Sequence, residues 1–376
     1  MIPSPVRAFV FGLLVTPLLA STATPPDLPE LPAWTATADL SLAAGYRDNL
    51  LLSPTRPDRS TLLRAEAEFM ALKVPVGNFD GYAYLDLVET RYLDGRNTDH
   101  ERSAIFAGEA RWQPDTRFKA AWSLQAYHQD QVLDVSVTEA DLSIAQLQVT
   151  GFATGPVVRW NIDSLYLEAK ACTRRDTYRD DVDGYVDTEG AFTAGWTWGH
   201  GSELSATVAR RRRDHDSRLQ FTVAGRPLAG THLETRQTDA HVDAAHYFDP
   251  ARRFRLAATL ARQESRDNGS GYFNYDRDTA RARFTWKADP WENEFTAEAN
   301  RYRFPVQFIG VGINPDTRRK DELRFTWEIS RRFSERVAGF LFAEREQSRS
   351  NDDRSRFTVN TVYAGVRFSW DSLATP

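Results

Sequence analysis

From Trp34 onward, apolar side chains recur at every second position, and that period of two is what most limits the folds open to this chain. In Leu323-Arg324-Phe325-Thr326-Trp327-Glu328-Ile329 every other residue is apolar, and the same beat runs through Ala280–Trp286, Phe254–Leu260 and Phe118–Leu124. Successive side chains of a strand point to opposite faces, so each segment has one apolar and one polar face. Apolar spacing at three and four residues, the mark of an amphipathic helix, is nearly absent. The chain reads as all-β. A soluble sandwich shares this alternation, so the connections must separate sandwich from barrel.

Trp112-Gln-Pro-Asp-Thr-Arg-Phe118 joins two alternating runs through a few turn-forming residues. The layout recurs at Trp160–Leu165, Trp198–Leu204, Tyr247–Phe254, Trp286–Trp291 and Phe333–Val337, with a looser case at Val74–Gly81. Longer polar loops fall near 47–59, 94–101, 129–146, 176–183, 213–231, 266–272, 305–319 and 348–354. Fifteen connections, alternately short and long, imply about sixteen antiparallel strands, within a range of fourteen to eighteen. Short turns at one end and long loops at the other are the layout of a transmembrane β-barrel. Its tilted strands need only roughly 9–11 residues to cross a bilayer.

Aromatic residues sort the same way. Trp34, Trp112, Trp160, Trp196, Trp198, Trp286, Trp291, Trp327 and Trp370 lie near the short-turn end, with Trp122 the exception. Tyr46, Tyr92, Tyr127, Tyr178, Tyr185, Tyr272, Tyr275 and Tyr302 lie towards the long loops. Aromatic rings favour the membrane interface, so two belts are expected, one at each end.

The first residues are an address. Arg7 precedes the apolar run Ala8–Ala20, followed by Ser21-Thr22-Ala23, which makes residues 1–23 a secretory signal peptide cut after Ala23 or after Ala20. Pro25, Pro26, Pro29 and Pro32 stiffen a lead-in over 24–32. The barrel is expected over 33–370 and a short tail over 371–376, with no plug domain ahead of the first strand. The expected location is the outer membrane of a Gram-negative envelope.

Composition removes other classes. A net charge of −5 lacks the basic excess of a nucleic-acid binder. The single cysteine, Cys172, allows neither an internal disulfide nor a cysteine metal site. His241 and His246 stand an odd number apart, on opposite faces of a strand, so no shared metal is expected. No catalytic triad or carboxylate pair stands out. The expectation is a non-enzyme without cofactor or metal.

The last strand, Tyr363-Ala-Gly365-Val-Arg-Phe368-Ser-Trp370, resembles the C-terminal assembly signal of outer-membrane barrels, which implies the barrel-assembly machinery as a partner; the tail after Trp370 departs from it. Gly45–Ser53 resembles the first-strand motif of the β-barrel porin-2 family, with Arg47 where that family often has Asp, and the Arg pair in Cys172–Tyr178 is also similar. The resemblance covers nearly the whole mature chain. It implies an outer-membrane barrel, some relatives of which are similar to exopolysaccharide-operon barrels that help sugar polymers leave the cell, so polysaccharide-export components are implied as partners.

The apolar face, represented by Leu63, Trp122, Leu204, Leu256, Leu260, Phe284, Phe325, Phe340, Phe342, Val366 and Phe368, should meet lipid. The other face carries Glu66, Glu68, Asp239, Asp243, Arg253, Arg255, Arg281, Arg283, Arg324 and Glu328. Placing Arg or Lys at mid-bilayer costs about 2–4 kcal/mol each, so these residues should line a water-filled lumen. That also accounts for 42 arginines against five lysines: a planar, permanently charged fork pairs with carboxylates at two points. Bracing of the wall and selection of solutes are both open to them. The third long loop, near Gln129–Gln146, carries Asp130, Asp134, Glu139 and Asp141 without Lys or Arg. It resembles the constriction loop of general porins, and its acids are expected either to face the wall arginines or to sit in solvent. The run Arg210–Arg213 tops one strand and offers either a solvated loop base or a seat for phosphates. The leading function is a pore for polar or charged solutes, including exit of exopolysaccharide. A general diffusion porin, a plugged structural or adhesive barrel and a barrel enzyme remain alternatives.

Overall fold

The computed structural model describes residues 33–372, apart from 97, 135–136, 138–143, 180–182 and 311–314. The expected signal peptide (1–23) and lead-in (24–32), and residues 373–376, lie outside the described residues. The strands are β1 (Trp34–Arg47), β2 (Ser60–Val76), β3 (Phe79–Tyr92), β4 (His100–Trp112), β5 (Phe118–Asp134), β6 (Ile144–Ile162), β7 (Leu165–Tyr178) and β8 (Tyr185–Trp198). The second half continues with β9 (Ser202–His215), β10 (Glu234–Tyr247), β11 (Phe254–Asp267), β12 (Tyr275–Ala288), β13 (Trp291–Ile309), β14 (Asp316–Arg332), β15 (Val337–Ser350) and β16 (Phe357–Asp371). Each strand pairs antiparallel with its sequence neighbours, and β1 pairs with β16 to close the ring. The result is a sixteen-strand transmembrane β-barrel. Short turns such as 77–78, 163–164 and 289–290 alternate with longer connections such as 48–59 and 216–233.

The faces are inverted relative to a soluble protein. On β11, Leu260 is 65 % exposed on the outside, while Ser265, on the inward set, is 2 % exposed. Trp34, Trp112, Trp122, Trp160, Trp196, Trp291, Trp327 and Trp370 are likewise exposed, and all but Trp122 lie near the short-turn end. An apolar belt this extensive is stable only against another apolar phase.

Two expectations about facing are overturned. Tyr92, Tyr127, Tyr178, Tyr185, Tyr275 and Tyr302 belong to the inward sets of their strands, so they form no outer belt; of the strand tyrosines expected there, only Tyr46 points outward. Their hydroxyls need polar partners, and the lumen supplies them: Tyr92 donates to Glu101 at 2.6 Å and Tyr127 to Asp176 at 2.5 Å. Phe340 and Phe342 also face inward, because they share the face of Glu344 and Glu346 on β15. Phe342 stacks on Tyr363 with centroids 4.6 Å apart, and Arg367 lies 5.2 Å over Phe340.

Inside the ring, tyrosines lie across glycines of the neighbouring strand. Tyr127 faces Gly151, Tyr166 faces Gly195 and Tyr363 faces Gly45 in register. A Cβ on Gly195 would sit 2.2 Å from the Tyr166 ring, so only glycine lets that ring lie flat and its hydroxyl reach Glu203. Gly195→Ala should therefore destabilise the barrel by about 1–3 kcal/mol through overpacking. Tyr166→Phe, which keeps the ring and loses only the hydrogen bond, should cost about 1 kcal/mol. Urea unfolding in detergent micelles, followed by tryptophan fluorescence, measures both; equal, negligible effects would rule out the tyrosine–glycine fit as a stabilising element.

At the seam, Tyr363 and Gly365 point inward while Phe368 and Trp370 face out. Strand β16 runs one residue past Trp370, and Ser372 exchanges hydrogen bonds with the Ala36 backbone, its N–H donating at 2.9 Å and its hydroxyl accepting at 2.9 Å. Phe368→Ala/Trp370→Ala should lower the heat-resistant folded band on an unboiled gel. Truncation after Ser372 should leave the band intact, and truncation after Trp370 should weaken it by removing two closing hydrogen bonds. Damage from the longer truncation product instead would place the assembly signal beyond Ser372.

Candidate functional site

The lumen is where the polar half of every strand converges. Arg281 and Arg283 on β12 point inward beside Glu298 (3.8 Å) and Glu294 (3.6 Å) on β13. Arg324 on β14 meets Glu346 at 2.7 Å and Glu344 at 4.0 Å on β15, and Glu328 accepts from Arg367 of β16 at 3.1 Å. Each pair joins two strands and keeps part of each charge open to the lumen, with side-chain exposures of 19–39 %. The arginines thus brace the wall and charge it at once.

Arg253 is a correction. It lies in the short turn before β11, not in the wall, and its guanidinium binds Asp249 at 2.9 Å. The Asp249 carboxyl, held by Arg253 and by the backbone N–H groups of Phe254 and Arg253, falls below the ordinary carboxylate range. Arg255, two residues on, does line the lumen, 5.7 Å over the Tyr247 ring. Asp239 and Asp243 face inward on β10, where Asp243 accepts from Thr259 at 2.5 Å and lies 3.4 Å from His241. His246 is on the other face, 3.1 Å from Ser202.

Glu66, Glu68 and Asp86 bring carboxylate oxygens within 4.8 Å of one another on β2 and β3, with Arg64 binding Glu66 at 3.2 Å. These strands lie on the far side of the ring from β11 and β12. An acidic wall therefore faces one carrying Arg255, Arg281 and Arg283. Arg281 and Arg283 thus have carboxylates of β13 beside them and the acids of β2 and β3 across the lumen.

The third long loop does something else. Asp130 and Asp134 belong to β5 itself, because strand pairing with β6 persists up to Asp134 and Ile144. Asp130 accepts from Gln146 at 2.9 Å, and Glu139 and Asp141 lie outside the described residues. Above the ring the β5–β6 hairpin crosses the mouth. Asp134 accepts from Lys320 of β14 at 2.6 Å, across 186 residues of chain, and Lys320 also binds Glu322 at 2.6 Å. Val137 packs with Tyr275, Tyr302 and Phe304 on β12 and β13. Strand β13 stands eight places from β5 in the ring of sixteen, so Val137 rests on the opposite wall. Both Lys320 and Asp134 are buried, so neither charge is dissipated in solvent. Lys320, Tyr302 and Phe304 were missed as site residues; the available signal was the run of apolar residues at Val132, Leu133, Val135 and Val137 inside a loop that otherwise reads as polar.

The long connections beside β8–β12 touch one another. Phe221 stacks on Tyr272 at 5.5 Å, joining the connection 216–233 to 268–274. Burial would raise the Asp183 carboxyl, but the N–H groups of Ser217 and Arg218 and the Ser217 hydroxyl hold it below the usual range. Within Arg210–Arg213, alternation splits the run. Arg211 and Arg213 turn inward to Glu189 (2.5 Å) and Asp187 (2.9 Å), while Arg210 and Arg212 face out.

No protein-family model and no curated protein matches the sequence. Solved structures similar in architecture include a loop-deletion mutant of OmpT, an outer membrane protein of Vibrio cholerae, at 12 % identity and TM-score 0.46, covering 90 % of this chain and all of that one. The outer membrane protein OprD from Pseudomonas aeruginosa is similar at 10 % identity and TM-score 0.46, covering 90 % of this chain and 94 % of that one. An anion-selective porin from Comamonas acidovorans is similar at 9 % identity and TM-score 0.46, covering 90 % and 99 % of the two chains.

Proposed function

We propose that the protein is an outer-membrane channel for small polar and charged solutes, exported by its signal peptide, folded by the barrel-assembly machinery and akin to the β-barrel porin-2 family. The observation that carries this reading is the interior of the ring: ion-paired, partly exposed walls, with Glu66, Glu68 and Asp86 across the lumen from Arg255, Arg281 and Arg283, inside an exterior that only lipid can cover. A low-dielectric wall concentrates the field between such walls, so a solute is oriented and sorted by charge as it passes. The hairpin tied to Lys320 narrows the entrance. Passage of an exopolysaccharide, the larger cargo suggested by the family resemblance, requires that tie to open, and for this reason small solutes are the cargo assigned.

Purified protein in planar bilayers should show discrete conductance steps. In Asp134→Leu/Lys320→Met, which removes both buried charges together, the steps should grow and larger neutral polyethylene glycols should enter. Silent bilayers with both wild type and this variant would eliminate the channel reading in favour of a plugged structural barrel.

Charge selection has its own test. Glu66→Gln/Glu68→Gln/Asp86→Asn should shift the reversal potential in a salt gradient towards anions, and Arg281→Gln/Arg283→Gln should shift it towards cations. Each should change the permeability ratio roughly twofold or more. Identical reversal potentials in all three proteins would reduce these residues to bracing.

A further inference from the structure

Among the described residues most outward-facing charge lies towards the long-loop end, where like charges are set against one another; Arg331, over Trp291, lies at the other end. Arg303 of β13 and Arg319 of β14 are direct cross-strand partners on the outward face, and so are Arg212, Arg236 and Arg266 across β9, β10 and β11. Like charges directly opposite one another destabilise a sheet. Carboxylates offset part of this: Asp278 accepts from Arg303 at 2.8 Å and lies 3.5 Å from Arg262, and Asp321 accepts from Arg301 at 3.0 Å. Around β11–β15, Arg262, Arg266, Arg301, Arg303, Arg319 and Arg349 outnumber the outward carboxylates Glu264, Asp276, Asp278 and Asp321, a positive excess on a surface turned to the bilayer. Arg262, Arg301 and Arg303 are about half exposed, so their forks remain open to another acceptor.

Directly below lies a groove of about 820 Å³ on the same outer face. Its floor includes Ala240, Ala280, Ala299, Val242, Leu260 and Leu323, and its upper margin carries Arg262, Arg301 and Arg349 together with Asp278 and Asp321. An apolar trough capped by a margin in which guanidinium groups outnumber carboxylates suits a chain-bearing lipid with a phosphate head.

We propose that this face binds a phosphate-bearing lipid of the leaflet at the long-loop end, its phosphate held by Arg301, Arg303 and Arg319 and one acyl chain laid in the groove over Ala280 and Ala299. Guanidinium pairs bind phosphate in two-point, charge-assisted fashion, which relieves the repulsion between Arg303 and Arg319 that the free barrel carries. The site depends on the barrel spanning a membrane and is independent of whether its lumen conducts.

The test uses the full barrel in detergent micelles, with diphosphoryl lipid A as the probe and native mass spectrometry and thermal unfolding as readouts. Lipid A should bind and raise the unfolding temperature, and its dephosphorylated form should do so far less. Arg301→Gln/Arg303→Gln/Arg319→Gln should fold normally without lipid, or become more stable as like charges are removed, yet bind lipid A about tenfold more weakly or worse, roughly the loss of one charge-assisted contact. Ala280→Leu/Ala299→Leu, which fills the groove and leaves the arginines, should also weaken binding. Equal binding of the dephosphorylated lipid, or undiminished binding by the triple arginine variant, would overturn the proposal. Inorganic phosphate binding as tightly as lipid A, with no loss in the groove variant, would equally overturn it by leaving a phosphate site without a lipid.

Discussion

Hydrocarbon offers no hydrogen bonds, and the ring answers that single constraint. Each backbone N–H and C=O at membrane depth must find a partner in the protein, which for strands demands closure. Pairing of Thr37–Arg47 with Thr361–Asp371 provides it, so no strand in the described barrel has a free edge. Closure fixes much else. Each strand then has one face towards lipid and one towards the lumen, and the charges have only the second to occupy. The distribution of arginine follows from this. An interior too wide to fill with apolar side chains is filled with cross-strand ion pairs, which keep neighbouring strands in register while leaving charge on the wall.

The strands, their number and the alternation of short and long connections were legible in the sequence because period two is a local property. Facing was legible only where the two faces of a strand differ in polarity. On β15, Val337-Ala338-Gly339-Phe340-Leu341-Phe342-Ala343 is apolar on both, so hydropathy could not tell that Phe340 and Phe342 turn inward; the answer lies in the register with Glu344 and Glu346 further along. Tyrosine misled for a related reason. Position along a strand suggested an interface belt, but a ring with a hydroxyl serves equally well inside, beside a carboxylate and over a cross-strand glycine, as Tyr166 does with Glu203 and Gly195.

The lumen was partly legible. Arg281, Arg283 and Arg324 were placed on the polar face by their neighbours, and they lie there. Arg253 failed because it precedes the alternating run that begins at Phe254, and in the turn it folds back on Asp249 instead of following the wall's two-residue facing. The contact between Asp134 and Lys320 could not be read at all, since nothing local joins residues 186 positions apart. Only the closed ring brings β5 and β14 to opposite sides of one opening.

That contact has a mechanical side. A hoop of sixteen strands flattens easily, because ovalising it bends the sheet slightly at many places and breaks no hydrogen bond. A hairpin anchored at β5–β6 and seated on β12–β14 is a diametral tie, and a tied hoop bends as two shorter arches. Bending stiffness climbs steeply as an unsupported span shortens, so the rim at the long loops is the stiff end of the cylinder and the rim at the short turns the compliant one. Lateral pressure from the bilayer then deforms the barrel as a taper, with the roundness of the mouth set by the reach of one lysine and one aspartate.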